Sequence, residues 1–103
     1  MSWATGYIAR LQAGETVQFR PRGNSMTGRV NNRDLCTVEP VSGSLTEGYV
    51  VLCRVKGAQY LHLIRAIRTV GESVQYQIGN NRGGINGWVG PAAIYGRLTR
   101  VEP

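Results

Sequence analysis

Apolar residues along the chain recur first at helical spacing and then at strand spacing. Over residues 2–12, Trp3, Tyr7, Ile8 and Leu11 share one face of a helix. Ser2 can cap its start, and Ala13-Gly14 ends it. From Thr16 the period changes to two. Thr16–Arg20 (TVQFR) reads as a strand, followed by a polar, glycine-containing loop from Pro21 to Asn32 with an apolar insert at Met26 and Val30. Leu35–Val41 is a second strand, and Ser42–Gly48 is a turn region. Tyr49–Lys56 (YVVLCRVK) and Gln59–Arg68 (QYLHLIRAIR) are β-rich runs joined at Gly57-Ala58, which predicts a β-hairpin. Ser73–Ile78 follows a turn at Val70–Glu72. Gly79–Gly90 reads as a glycine-rich loop, Pro91–Ile94 as a short helical turn, and Gly96–Val101 as a closing strand. The expectation is a mostly β, partly closed sheet of six strands with one short N-terminal helix.

Composition agrees with one globular unit. The 103 residues are 42% hydrophobic and 17% charged, with 14 glycines and four prolines, and that length supports a single domain over 1–103 with one core. No window approaches the roughly 18 apolar residues of a membrane helix, and the N-terminus lacks the basic start and apolar stretch of a secretory signal. A cytoplasmic protein without a membrane partner is expected. No repeat, linker or low-complexity segment interrupts the chain.

Charge adds one alternative. The net charge is +6, and Lys56 is the only lysine beside eleven arginines. Such a balance suits an anionic partner. The arginines are scattered, however, and do not interleave with aromatic residues as an RNA-binding motif would, so nucleic acid is not the favoured partner. Arg20, Arg22, Arg29, Arg33 and Arg82 flank the two glycine-containing loops and could hold a phosphate or other anion there; alternatively they form a solvated rim or pair with Asp34 and Glu39.

The residues able to do chemistry are few. Cys36 and Cys53 lie in apolar, strand-like runs, form no CxxC, and read as buried reduced thiols. No metal or other cofactor is expected. His62 is the only histidine, and on its own a histidine in an apolar strand is usually a packed core residue. Ser25 stands out among the serines because it sits in a tight loop, Gly23-Asn24-Ser25-Met26. A small residue before the serine lets the backbone turn sharply, so that an amide at or beside it can face an incoming carbonyl.

Four stretches taken together resemble the signal peptidase and LexA-type serine peptidase superfamily. Gly23-Asn24-Ser25-Met26 is similar to its nucleophile box. Gly48-Tyr49-Val50-Val51-Leu52-Cys53-Arg54-Val55 is similar to its Gly-Asp-(Ile/Val)-Val-x-x-(Arg/Lys) strand. Tyr60–Ile67 corresponds to the hairpin return that holds the general base. Gly79-Asn80-Asn81-Arg82, with Ile94-Tyr95-Gly96-Arg97, resembles the Gly-Asp-Asn-Arg box and its closing strand. The stretches span residues 19–101. The resemblance implies a LexA/signal-peptidase-like core, with Ser25 as nucleophile and Gly23, Asn24 and Met26 forming the oxyanion and substrate loop. It implies a base on the hairpin return, where bacterial members carry Lys. One register puts His62 there, 37 residues after Ser25, a separation typical of LexA-type members; a Ser-His pair in place of Ser-Lys resembles endoplasmic-reticulum and many archaeal signal peptidases. The other register puts Ile64 there, and the domain would then be inactive. A neutral imidazole can accept the hydroxyl proton, starting from a pKa near 6.5 where a lysine starts near about 10.4.

The sequence also departs from the family pattern. Asn80 stands where the box has Asp; an Asn can orient an imidazole but cannot offset its charge. Asn81 and Asn86 are the other candidate orienters, and Arg82 completes the supporting set. Thr27-Gly28 stands where a Pro usually follows, and Tyr49 replaces an Asp. Only 24 residues precede Ser25, so neither a membrane anchor nor a DNA-binding domain is expected ahead of the core, and a short stand-alone core fits a bacterial or phage gene equally. Ala13-Gly14 is the only Ala-Gly bond upstream of Ser25 and reads as a helix stop rather than a self-cleavage site. A peptide or protein substrate laid as an added strand beside the Ser25 loop is the expected partner, with small residues at the bond implied by the resemblance. A homodimer through the core, or at the apolar face of Trp3 and Ile8, is a further expectation. The alternative is a catalytically silent binding module that keeps the groove, or an anion binder acting through its arginines.

Overall fold

The computed structural model describes residues 2–103. Its helix α1 runs from Thr5 to Gln12, and seven strands follow: β1 (Val17–Phe19), β2 (Leu35–Pro40), β3 (Val50–Val55), β4 (Ala58–Val70), β5 (Ser73–Gly79), β6 (Ile85–Val89) and β7 (Ile94–Glu102). A short 3₁₀ turn, Pro91–Ala93, leads into β7. All strands belong to one antiparallel sheet in the order β1-β2-β7-β3-β4-β5-β6. The protein is thus mostly β with one short helix.

Three local expectations are corrected. There are seven strands rather than six, because Ile85–Val89 of the glycine-rich segment pairs with β5. The helix starts at Thr5, and Ser2 lies before it, its hydroxyl accepting from the Ala4 amide at 3.2 Å. The β3–β4 turn is Lys56-Gly57, not Gly57-Ala58. Both residues have positive φ (51° and 84°), and Val55 pairs with Ala58. That is the two-residue I′ geometry whose twist matches the flanking strands.

Side-chain alternation along β3 divides the interior in two. Val50 and Leu52 face a cluster with Leu11, Val17, Phe19, Met26, Val38, Leu61 and Leu63, on the side covered by α1. Val51, Cys53 and Val55 face a second cluster with Ile64, Tyr76, Ile78 and Ile94. The sheet closes over that second side by curling on itself. A Cβ at Gly87 of β6 would lie 3.2 Å from Val55 of β3, although two strands stand between them in the hydrogen-bonded order. At the other end, a Cβ at Gly96 would meet Val38 Cγ1 at 2.7 Å, the Glu39 carbonyl at 2.9 Å and Leu11 Cδ1 at 3.0 Å. Only glycine lets α1 sit this close to β7.

Two bulges matter for the site. β4 carries an extra residue, Arg65, between the pairs Ile64↔Ile78 and Ala66↔Gln77. β6 carries Asn86 between the pairs Gly79↔Ile85 and Ile78↔Gly87. A bulge bends its strand and re-aims the extra side chain.

Candidate active site

Ser25 is carried by the segment between β1 and β2. Gly23, at φ 117°, makes the sharp entry, and its amide donates to Asn32 Oδ1 at 2.9 Å. A helical turn follows, with the Arg29 and Val30 amides donating to the Met26 carbonyl at 2.9 and 2.8 Å. Met26 and Val30 anchor this turn in the core, while Ser25 itself is exposed. Asn81 ties the loop to the β5–β6 connection. Its amide donates to the Ser25 carbonyl at 3.0 Å and its Nδ2 to the Thr27 carbonyl at 2.9 Å. Among the described residues, the backbone amides of Asn24, Ser25 and Met26 donate to no protein acceptor.

Ser25 Oγ lies 3.1 Å from Nε2 of His62. His62 sits on β4 opposite Val51 and is 7% exposed. Tyr60, two residues earlier on the same face, stacks on its ring with centroids 4.8 Å apart. On the far side of the ring, Nδ1 is 2.7 Å from Oδ1 of Asn86. An amide oxygen can only accept, so this contact makes Nδ1 the protonated nitrogen and leaves the Nε2 lone pair facing the serine hydroxyl. Burial holds the imidazole below its ordinary value of 6.5, and the hydrogen bond to Asn86 acts weakly in the other direction. At neutral pH the ring is a free base.

The other named residues are distributed as follows. Ile64, the alternative at the base position, is 1% exposed in the second core cluster; the residue that meets Ser25 is His62. Asn80, the residue in place of the box Asp, does not reach the imidazole. Its Oδ1 accepts from the amides of Arg82 and Gly84, both at 2.9 Å, and shapes the β5–β6 turn. Asn81 braces the serine loop rather than the ring. Of the three asparagines only Asn86 touches His62, through the β6 bulge. Arg82 is exposed, and the partner observed there is made by its backbone. Met26 is buried beneath the loop. No pairing joins Asp34 or Glu39 to an arginine among the described residues, where the ion pairs are Arg10–Glu15 and Arg100–Glu102.

Beside Ser25 and His62 a cleft of about 510 Å³ opens between the Phe19–Gly23 segment and the start of β4. Its walls include Trp3, Tyr7, Phe19, Tyr60 and Leu61, with Arg20 and Arg22 at the same opening. The β4 edge on this side is unpaired, since β5 joins β4 only from Leu63↔Gly79 onward. In a hairpin closed by Val55 and Ala58, hydrogen-bonded pairs alternate, so the amides and carbonyls of Gln59 and Leu61 point away from β3. They face the cleft.

The two thiols offer no rival nucleophile. Burial, with Asp34 assisting, pushes Cys36 up to about 11, and burial pushes Cys53 up to about 12, so neither ionises near neutrality. No group of three or more His, Cys, Asp or Glu able to hold a metal is found among the described residues, and no helix there is long and apolar enough to cross a membrane. No family model, curated protein or solved structure matches the chain.

Proposed function

We propose that this protein is a small serine peptidase with a signal-peptidase/LexA-like core, hydrolysing a peptide bond in a partner protein or peptide. The observation that carries the reading is the continuous chain Ser25 Oγ, His62 Nε2, His62 Nδ1, Asn86 Oδ1, at 3.1 and 2.7 Å, beside an unpaired strand edge. A nucleophile, a base within hydrogen-bond reach and a third group orienting that base is the arrangement nucleophilic catalysis requires.

In the proposed reaction an extended substrate adds as a strand to the Gln59–Leu61 edge, which brings a main-chain carbonyl beside Ser25. Ser25 Oγ bonds to the carbonyl carbon as its proton passes to His62 Nε2. The oxyanion meets backbone amides of the Asn24–Met26 turn. The imidazolium, held by Asn86, returns its proton to the leaving amine, and an acyl group remains on Ser25. Water, deprotonated by the same imidazole, then releases the acid. Asn86 fixes the ring tautomer without adding a negative charge, so the base is oriented but less strongly supported than with a carboxylate behind it.

The test is labelling with a fluorophosphonate, which phosphonylates an activated serine with loss of fluoride whatever the natural substrate. The parent chain is expected to label at one site, Ser25, and Ser25→Ala and His62→Ala are each expected to lose labelling by about a thousandfold or more. Equal labelling of parent and His62→Ala would overturn the reading and leave a binding module.

A further inference from the structure

The cleft beside Ser25 differs in chemistry along its walls. Trp3 is 50% exposed although it contacts an aromatic cluster, with its ring 5.5 Å from Phe19 and 6.4 Å from Tyr7, and Tyr7 itself stacks on Phe19 at 4.6 Å. A half-exposed indole and its neighbours thus present a rigid, partly uncovered aromatic wall. Such surfaces favour large apolar side chains, because burying both partners removes apolar area from water. The same cleft carries two guanidinium groups and no carboxylate among its lining residues. Arg20 donates to the Arg33 carbonyl at 2.8 Å, which fixes its head while leaving other N–H groups free. Arg22 is exposed and makes no ion pair among the described residues. Its volume of about 510 Å³ suits several side chains of an extended segment.

We infer that the substrate of this site is an acidic, aromatic-bearing peptide segment: one large apolar side chain seats against Trp3, Tyr7 and Phe19, and an Asp or Glu meets Arg20 and Arg22. The inference rests on the proposed peptidase reading for the location of the scissile bond, but the recognition it describes is a binding property that does not need turnover. The segment pairs its main chain with Gln59 and Leu61, which supplies affinity in any sequence. The aromatic wall and the guanidinium pair supply the choice among sequences. The charge complementarity also extends outward, since the whole chain carries +6 and attracts an acidic segment at long range.

The experiment is an array of synthetic ten-residue peptides with alanine fixed at the two central positions and all others randomised, probed with the folded Ser25→Ala chain. The expected result is enrichment of Phe, Tyr, Trp or Leu at one position and of Asp or Glu at another. A peptide carrying both should bind at least tenfold tighter than its double-alanine analogue. Trp3→Ala should erase the aromatic preference and keep the acidic one; Arg20→Gln with Arg22→Gln should do the reverse, with the acidic preference in the parent falling as salt rises. No enrichment, or enrichment of Lys and Arg, overturns the inference. So does concentration-dependent self-association in sedimentation velocity that is lost in Trp3→Ala without peptide enrichment, which would assign the wall to a second copy of this chain. Enriched binding without cleavage or fluorophosphonate labelling would sink the peptidase reading and leave the recognition intact. Cleavage without sequence preference would do the opposite.

Discussion

Replacing Asn86 by Asp tests the candidate site more sharply than removing any residue. The side chains are nearly isosteric, and the new carboxylate lies where Oδ1 now sits, 2.7 Å from Nδ1 of a buried ring. In the parent chain burial depresses the imidazole pKa. An opposite charge at hydrogen-bond distance should raise the titration midpoint of Asn86→Asp by about one to three pH units above the parent's, or about 1.4–4 kcal/mol in favour of imidazolium. Part of that gain reaches the transition state of acylation, in which the ring is becoming protonated. Above the new midpoint the fluorophosphonate rate should rise about 10–100-fold; below it the base is protonated and the variant should be slower than the parent. The two pH profiles therefore cross. The single histidine makes the second readout clean, since imidazole NMR titration reports His62 alone. A midpoint in Asn86→Asp equal to the parent's, or a fluorophosphonate labelling rate at pH 9 no faster than the parent's, would refute the assignment of Asn86 as the group behind the base.

Four further outcomes follow from the same geometry. Because the His62 pKa is lowered by folding, the unfolded chain takes up a proton first as pH falls; stability from this group is full above 6.5 and is lost on descent to the folded midpoint, which urea melts of parent and His62→Gln will separate. Gly96→Ala should destabilise by about 1–3 kcal/mol, measured by urea midpoint, because the added methyl meets Val38, Leu11 and an immovable Glu39 carbonyl within 3.0 Å. Asn80→Ala should cost about 1 kcal/mol through the two amides it leaves without a protein acceptor, while the His62 NMR midpoint stays where it is in the parent. Cys36 and Cys53, buried and raised to about 11 and about 12, should react with a thiol-disulfide reagent only as the chain unfolds, so that labelling in urea tracks the unfolding transition.

The hairpin of β3 and β4 was legible because its chemistry is local: β-branched runs on both sides of a short glycine-containing break specify two strands and a turn, although the turn pair itself lies one residue earlier than expected, at Lys56-Gly57. β6 was not, because Ile85–Val89 follows two glycines, contains Asn86-Gly87 and owes its strand state to pairing with β5. Ser25 and His62 could be named from motif order, and Asn86 only as one of three candidates. What distinguishes it is a bulge, and a one-residue insertion reverses which face every later side chain takes. No period-two reading of GGINGWVG could place it. Trp3 was misread in a different way. Helical spacing put it on the apolar face of a helix over 2–12, open to core or interface, whereas the helix starts two residues later and the indole is left at the cleft rim. Tyr60 was within reach of the sequence, since it lies two residues from His62 on a strand and must share its face.

An amide rather than a carboxylate behind His62 has consequences for folding as well as for rate. A carboxylate at position 86 would be taken partly out of water beside a buried ring that is neutral in the resting protein, and desolvating an ion costs several kcal/mol unless an opposite charge is present. Asn86 makes a neutral hydrogen bond there, and no buried side-chain polar atom among the described residues lacks a partner. The resting site is therefore stable and electrically quiet, and the deficit falls on the moment of proton transfer, when imidazolium forms in a chain already at +6. Nothing in the lining of the cleft offsets that charge. The developing oxyanion does, and so, at longer range, would the carboxylate of an acidic substrate held by Arg20 and Arg22. On this reasoning the gain in rate expected of Asn86→Asp is coupled to a loss of stability at alkaline pH, where aspartate is ionised and the imidazole is not. The acceleration by an acidic residue in the substrate should shrink in that variant, because the charge it supplied is already in place.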